Sequence, residues 1–307
     1  MVQTPVRTVN RQQRAINQFF TILSFLALPL LLYTVWVIYP TFRTLMLSMT
    51  DWDGLSKTYN FIGFENFERL WSEDPFRKSI VNNILWILVF ITIPPAAGLG
   101  LAMVLNTNVR FDRFLKVSYY LPLVLATVVT ALVWAQGVYN PRSGLINQFL
   151  AVFIGQEAAS KIQWLGDPNL AIWSVIAAAV WRQVGYVMIL YLAGLKTVDT
   201  EVLEAAKMDG AEGWTLFRYM VFPMLAPVTT IVVVISVIDS LRSFDMVNIM
   251  TRGNPFDSSN VLANYMYLSF EDYRMGYAAS IAVVLFAISL VFIFLYLREV
   301  MRQEESA

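Results

Sequence analysis

The chain of 307 residues contains no cysteine and no histidine. The first absence excludes a disulfide framework and thiolate chemistry. The second excludes a serine–histidine triad, a histidine metal site and a histidine proton relay. Charge is scarce as well: 14% of residues are charged, against about a quarter in soluble proteins. Lys+Arg and Asp+Glu both number 22, so no basic surplus points to nucleic acid. The chain lacks even a Gly-Lys dipeptide, and with it the G-x4-G-K-[ST] loop that cradles nucleotide phosphates.

What is present is apolar. Hydrophobic residues make up 57% of the chain and mean hydropathy is +0.57. A membrane helix needs about 20 mostly apolar residues. Six stretches meet that length, at roughly 19–39, 80–106, 117–137, 170–192, 219–241 and 278–297. The first follows Arg7, Arg11 and Arg14, but its apolar run exceeds a signal-peptide core and no small-residue cleavage site follows, so it reads as a retained span. The expected organisation is all-α and polytopic: an N-terminal segment at 1–18, a six-helix domain at 19–297 and a tail at 298–307.

Raw counts of Lys and Arg on the two sides are nearly equal. Those at the termini and in the 107–116 and 193–218 loops sit close to span ends, where positive residues weigh most; the others are diluted over longer loops. Both termini and the 193–218 loop are therefore assigned to the cytoplasm. Opposite them, the 40–79 loop reads as a short-helix cap, the 138–169 loop carries an amphipathic piece at about 145–154, and Gly253, Asn254 and Pro255 mark a sharp turn in the 242–277 loop. Pro94 and Pro95 interrupt the second span, with packing the simpler reading. Asn82 and Asn83 open it as interhelical hydrogen-bonding groups.

Residues 204–227 read EAAKMDGAEGWTLFRYMVFPMLAP and lie between two spans. Asp199 or Thr200 can cap a short helix, with Glu201 and Glu204 in its first turns. Val202, Ala205 and Ala206 share one face. Gly210 supplies a left-handed position that ends the helix. A second helix then runs from about Glu212 through Phe217 into the fifth span. The product is a small-residue knob between two helices.

The full spacing EAA-x-x-DGA-x5-F-x5-P-x3-P closely resembles the "EAA" loop of permease subunits in binding-protein-dependent ABC importers. Glu204, Ala205, Ala206, Asp209, Gly210, Ala211, Phe217 and Pro223 match its positions; Pro227 closes it. Asp51 to Leu55, Phe61 to Phe67, Leu192 to Leu195, Phe244, Asp245, Thr251, Gly253, Pro255, Gly276, Tyr277 and Ala278 extend the resemblance to maltose-type sugar permeases, the first of the two related subunits. The chain departs from the family's more glycine-rich turn at Arg252 and Asn254. The large extra external domain of the maltose prototype has no room here.

The resemblance implies a type I ABC importer permease fold in the bacterial plasma membrane. It implies a second homologous permease subunit, two ATP-binding cassette subunits beneath the pair with a separate ATPase gripping the 199–218 loop, an extracytoplasmic solute-binding protein, and membrane lipid around the spans. No cofactor would be bound directly; ATP and Mg would sit on the partner subunits. The solute would be a sugar, glycoside or polyol.

Candidate solute contacts come from two spans. Trp181, Arg182, Gln183 and Tyr186 interrupt the fourth, with Arg182 and Tyr186 one turn apart. Ser236, Asp239, Ser240 and Ser243 form a polar stripe on the fifth. A charge at membrane depth costs at least about 2.5–3.5 kcal/mol, so Arg182 and Asp239 must face protein or water. Paired, they would keep a cavity neutral. The family contacts its ligand from these two segments, which carries over Arg182, Gln183, Tyr186, Ser236, Asp239, Ser240 and Ser243; Trp181 and Tyr186 would offer an aromatic face to a sugar. A structural ion pair with interfacial aromatics fits the residues equally well. The rival function is an ion-gradient-driven secondary transporter of a small polar solute, which needs titratable groups in its spans; Asp239 is the one clear acid at depth. No catalytic or metal-binding set is expected.

Overall fold

A computed structural model describes residues 11–107 and 110–305. Residues 1–10 of the expected N-terminal segment and 306–307 of the tail lie outside them. Among the described residues the regular secondary structure is all helix, with one isolated bridge, Thr50 with Phe61. Four helices are long and apolar enough to cross a membrane: α1 (Thr21–Leu47), α3 (Asp74–Leu105), α8 (Ala171–Leu195) and α14 (Met275–Arg298), with α2 (Glu65–Ser72) a short cap between the first two. Two further spans are bent pairs. α4 (Asp112–Val124) meets α5 (Thr127–Val138) at 98°, and α10 (Gly213–Met224) meets α11 (Ala226–Leu241) at 70°. The remaining helices are α6 (Leu145–Ile154), α7 (Gln156–Ser160), α9 (Thr200–Met208), α12 (Phe244–Met250) and α13 (Leu262–Glu271).

The six apolar stretches are thus all helical, and the third and fifth are bent. In the fifth, Pro227 has no amide hydrogen to offer Pro223, so the ladder breaks at Leu225 and a new helix starts with Pro227 in its first turn. In the third, Leu125 and Ala126 turn extended (ψ 138° and 139°) just after Pro122. By contrast, Pro94 and Pro95 lie buried inside an unbroken α3.

α3 and α8 form the centre. Gly98 of α3 leaves no room for a Cβ, which would stand 2.6 Å from Val187 Cγ1 of α8. Gly185 of α8 is tighter still: its Cβ would meet the Tyr119 carbonyl oxygen of α4 at 1.8 Å. Small residues bring backbones together here because lipid supplies no hydrophobic drive between helices. α1 stands at the rim, apolar all round and exposed along its membrane window, a pattern suited to lipid or protein cover.

At the end opposite the 199–218 hairpin, the connections fold into a rigid cap. Asn82 Nδ2 donates to the carbonyls of Ser258 and Asn260 at 2.9 and 2.8 Å, and Asn83 Oδ1 accepts from the Leu262 amide at 2.8 Å. These asparagines therefore tie down the 251–261 loop and the start of α13; they do not join two spans. Arg252 itself takes a left-handed φ of 52° at the turn and pairs with Glu271 at 2.6 Å.

Glu73, just before α3, accepts from Tyr265 at 2.6 Å, Tyr277 at 2.5 Å and Arg69 at 2.8 Å, with Arg274 at 3.4 Å. Burial works against its charged form, but the two hydroxyls and the arginines outweigh it and hold its carboxyl below the ordinary value. A lowered folded-state pKa contributes stability above the unfolded value, and that contribution is lost as pH falls through the folded value. Glu73→Gln is expected to cost about 2 kcal/mol at neutral pH. Thermal unfolding of the detergent-solubilised protein should show the gap to wild type closing on acidification.

Candidate functional site

A cavity of about 260 Å³ opens between α3, the start of α5, α8, α11 and α12. Its walls include Trp86 and Phe90 from α3, Thr127 from α5, Arg182 and Gln183 from α8, Asp239 from α11, and Arg242, Ser243 and Asp245 beyond the end of α11. Two bases and two acids share this wall, so its fixed charge balances. Asp239 accepts from Gln183 Nε2 at 2.9 Å, and no salt bridge joins it to Arg182. Of the two arrangements the sequence left open, the Arg182–Asp239 pair is not formed; Gln183 is the side chain on α8 that bonds the carboxylate.

Four of the sequence candidates meet here: Arg182, Gln183, Asp239 and Ser243. Tyr186, Ser236 and Ser240 are not on the wall. Ser236 and Ser240 are fully buried in helix packing, and Ser240 bonds back to the Val237 carbonyl at 2.7 Å. Trp181 points away and packs edge-on against Trp134, with ring centroids 5.6 Å apart. The aromatic wall is instead Trp86 and Phe90, one turn apart on α3 with centroids 5.9 Å apart. The signal that could have found them is a Trp and a Phe at i, i+4 on a span whose neighbours are aliphatic.

Three polar atoms in residues that line the cavity have no partner within the chain and are themselves buried out of its reach: Trp86 Nε1, Arg182 Nε and Ser243 Oγ. Such groups cost about 1–3 kcal/mol each when left unsatisfied.

The second constellation is the hairpin. Asp199 caps α9, its carboxylate accepting from the Glu201 amide at 2.8 Å. The helix ends in a Schellman closure: the Gly210 amide bonds the Lys207 carbonyl at 3.0 Å and the Ala211 amide bonds the Ala206 carbonyl at 2.9 Å, with Gly210 at φ 87°. This divides the EAA–DGA residues by role. Ala206 is turned inward at 3% exposure, and Ala206, Gly210 and Ala211 build the turn. Glu204, Ala205, Met208 and Asp209 are left exposed. The expected common face of Val202, Ala205 and Ala206 is therefore split, with Val202 and Ala205 outside.

Phe217, in a π-helical turn at Phe217–Val221, packs on Trp214 at 5.2 Å and Phe222 at 5.9 Å. Leu203, Phe217 and Val221 join the buried cluster of Leu192, Val198 and Leu225 that roots the hairpin in α8 and α11. Pro223 lies exposed just before the Leu225 bend.

Comparison with known proteins places this arrangement. The chain is 37% identical over 277 residues to a probable ABC transporter permease protein of Pyrococcus horikoshii, covering 90% of this chain and 94% of the relative. It is 30% identical over 294 residues to the diacetylchitobiose uptake system permease protein NgcF of Streptomyces coelicolor, covering 92% and 82%. Its fold matches a chain of a bacterial alginate ABC transporter solved in complex with an alginate pentasaccharide-bound periplasmic protein, with TM-score 0.78, 19% identity and 94% and 96% coverage. Residues 77–303, which hold the cavity and the hairpin alike, match the family model, and the chain belongs to the family of binding-protein-dependent transport system inner membrane components.

Proposed function

We propose that this chain is the permease subunit of an ATP-driven importer for an uncharged sugar, glycoside or polyol. It forms half of the translocation pathway and receives force through the 199–218 hairpin. The observation that carries the reading is the cavity: balanced charges beside an aromatic pair suit a neutral polyhydroxyl solute. Kinship with sugar permeases supports the same class.

In this mechanism both termini and the hairpin are cytoplasmic. Of two separate ATPase subunits, one holds the exposed residues Glu204, Ala205, Met208 and Asp209. Their closure on ATP moves α9 and α10 as one body, because the Schellman turn and the Leu203–Phe217–Leu225 cluster leave little slack. The displacement passes through the bend at Leu225 into α11, which carries Asp239. The cavity wall then shifts between inward- and outward-facing arrangements with a second permease, and a loaded binding protein delivers solute on the far side. This chain contributes no hydrolytic chemistry of its own.

The test is uptake of labelled neutral oligosaccharides into vesicles carrying the co-expressed complex. Uptake should require ATP on the hairpin side and persist with a protonophore. Uptake that survives ATP depletion and dies with the protonophore would replace this reading with an ion-coupled transporter.

A further inference from the structure

We propose that α6 (Leu145–Ile154) lies in the membrane interface at the end opposite the hairpin, with Leu145, Phe149, Val152 and Phe153 immersed in lipid. These side chains are 65%, 66%, 80% and 70% exposed. They recur at helical spacing and form one apolar face. No charged residue occurs between Arg142 and Glu157.

The other face is fully committed. Asn147, 1% exposed, donates to the carbonyls of Pro141, Ala159 and Ile162 at 3.0, 2.9 and 3.1 Å, and accepts from Trp164 Nε1 at 2.5 Å. Ile146 packs into the main core beside Val138 and Trp164. The helix therefore cannot rotate its apolar face inward.

Three occupants could cover such a face: lipid, a partner permease or a docking protein that comes and goes. A surface that is bare in water for part of each cycle must tolerate water, and transient interfaces carry a polar rim. α6 presents five large apolar side chains, Ile154 being the fifth, and no charge. Lipid is favoured by continuity. α6 packs on the Val133–Val138 end of α5, where Val128, Val129, Leu132 and Val133 already turn outward on a membrane span. The charged groups sit only beyond its two ends: Arg142 before it, and the Glu157–Lys161 pair (2.8 Å) after the Gly155 reversal. An amphipathic helix anchored in this way lies in the interface plane with its apolar face about 5–10 Å into the headgroup boundary. The inference rests on membrane residence alone and is independent of which solute is carried.

The chain's lack of cysteine makes the test direct. Phe149→Cys and Phe153→Cys are introduced singly into the full chain, expressed with its partner subunits, spin-labelled and placed in lipid vesicles. The unsubstituted chain serves as the blank for other subunits' thiols. Collisions with oxygen, which concentrates in lipid, and with an aqueous nickel chelate give the depth. Both labels should favour oxygen at about 5–10 Å below the headgroups, while Ser143→Cys and Gln156→Cys favour the chelate. Labels at 149 and 153 that meet the chelate as readily as oxygen would show a water-facing docking surface and overturn the proposal. Labels shielded from both reagents would show a protein cover and overturn it equally.

Discussion

Gly210→Trp stops uptake while a loaded binding protein still docks on the membrane. The glycine sits at φ 87°, where a residue with a Cβ pays roughly 1–2 kcal/mol. A Cβ at Gly210 would meet nothing within 4 Å, so space inside the chain is not what demands glycine. The demand is conformational, and the open side is the surface offered to the proposed ATPase. Tryptophan therefore does two things: it strains the turn that closes α9, and it places an indole on the docking face. Gly210→Asn separates them, because asparagine tolerates the left-handed turn and adds little bulk; it should keep most of the uptake. Paired measurements of uptake and of binding-protein retention on vesicles decide the matter. Normal uptake by the tryptophan variant would show that nothing grips the hairpin tip.

The second large effect concerns the cavity charges. Arg182→Gln removes a charged donor and leaves two acids facing one base on the wall. A lost charge-assisted hydrogen bond costs about 1.5–3 kcal/mol, so the apparent solute affinity should fall on the order of 10- to 100-fold. Asp239→Asn should have a smaller effect, since asparagine still accepts from Gln183 and only the charge balance is disturbed. The double variant restores neutrality and should recover part of the loss. If the residues act on solute, the change appears in apparent affinity with the yield of assembled complex unchanged. A falling yield at constant affinity would assign Arg182 and Asp239 to helix packing.

The spans were legible because long apolar runs have one economical outcome in a bilayer. Their bends were not. Proline position alone does not say whether a helix continues: Pro94 and Pro95 are absorbed into α3, whereas Pro223 and Pro227 bracket a 70° break and the sharpest bend falls at Leu125 and Ala126, which carry no special signal. The hairpin was readable in detail because capping chemistry is local: Asp199 and Gly210 do what their positions demand. The cavity was half readable. Arg182 and Asp239 stood out as charges in apolar helices. Trp86 and Phe90 did not, since an aromatic in a span is ordinarily packing. Arg242 and Asp245 read as loop residues past the span end, and only the fold of α12 back onto α5 and α8 brings them to the wall. Ser236 and Ser240 have the right spacing, but their side chains are spent on packing between helices.

The most direct test uses Met208, which is 88% exposed at the end of α9. A Met208→Cys variant supplies the chain's one thiol, and a short bifunctional reagent is applied to membranes containing the assembled complex. The expected result is a crosslink to a nucleotide-hydrolysing subunit whose yield changes when ATP is added. A cysteine at 208 that forms no such crosslink, and that reacts with an impermeant thiol reagent added outside intact cells, would contradict the proposed role of the hairpin.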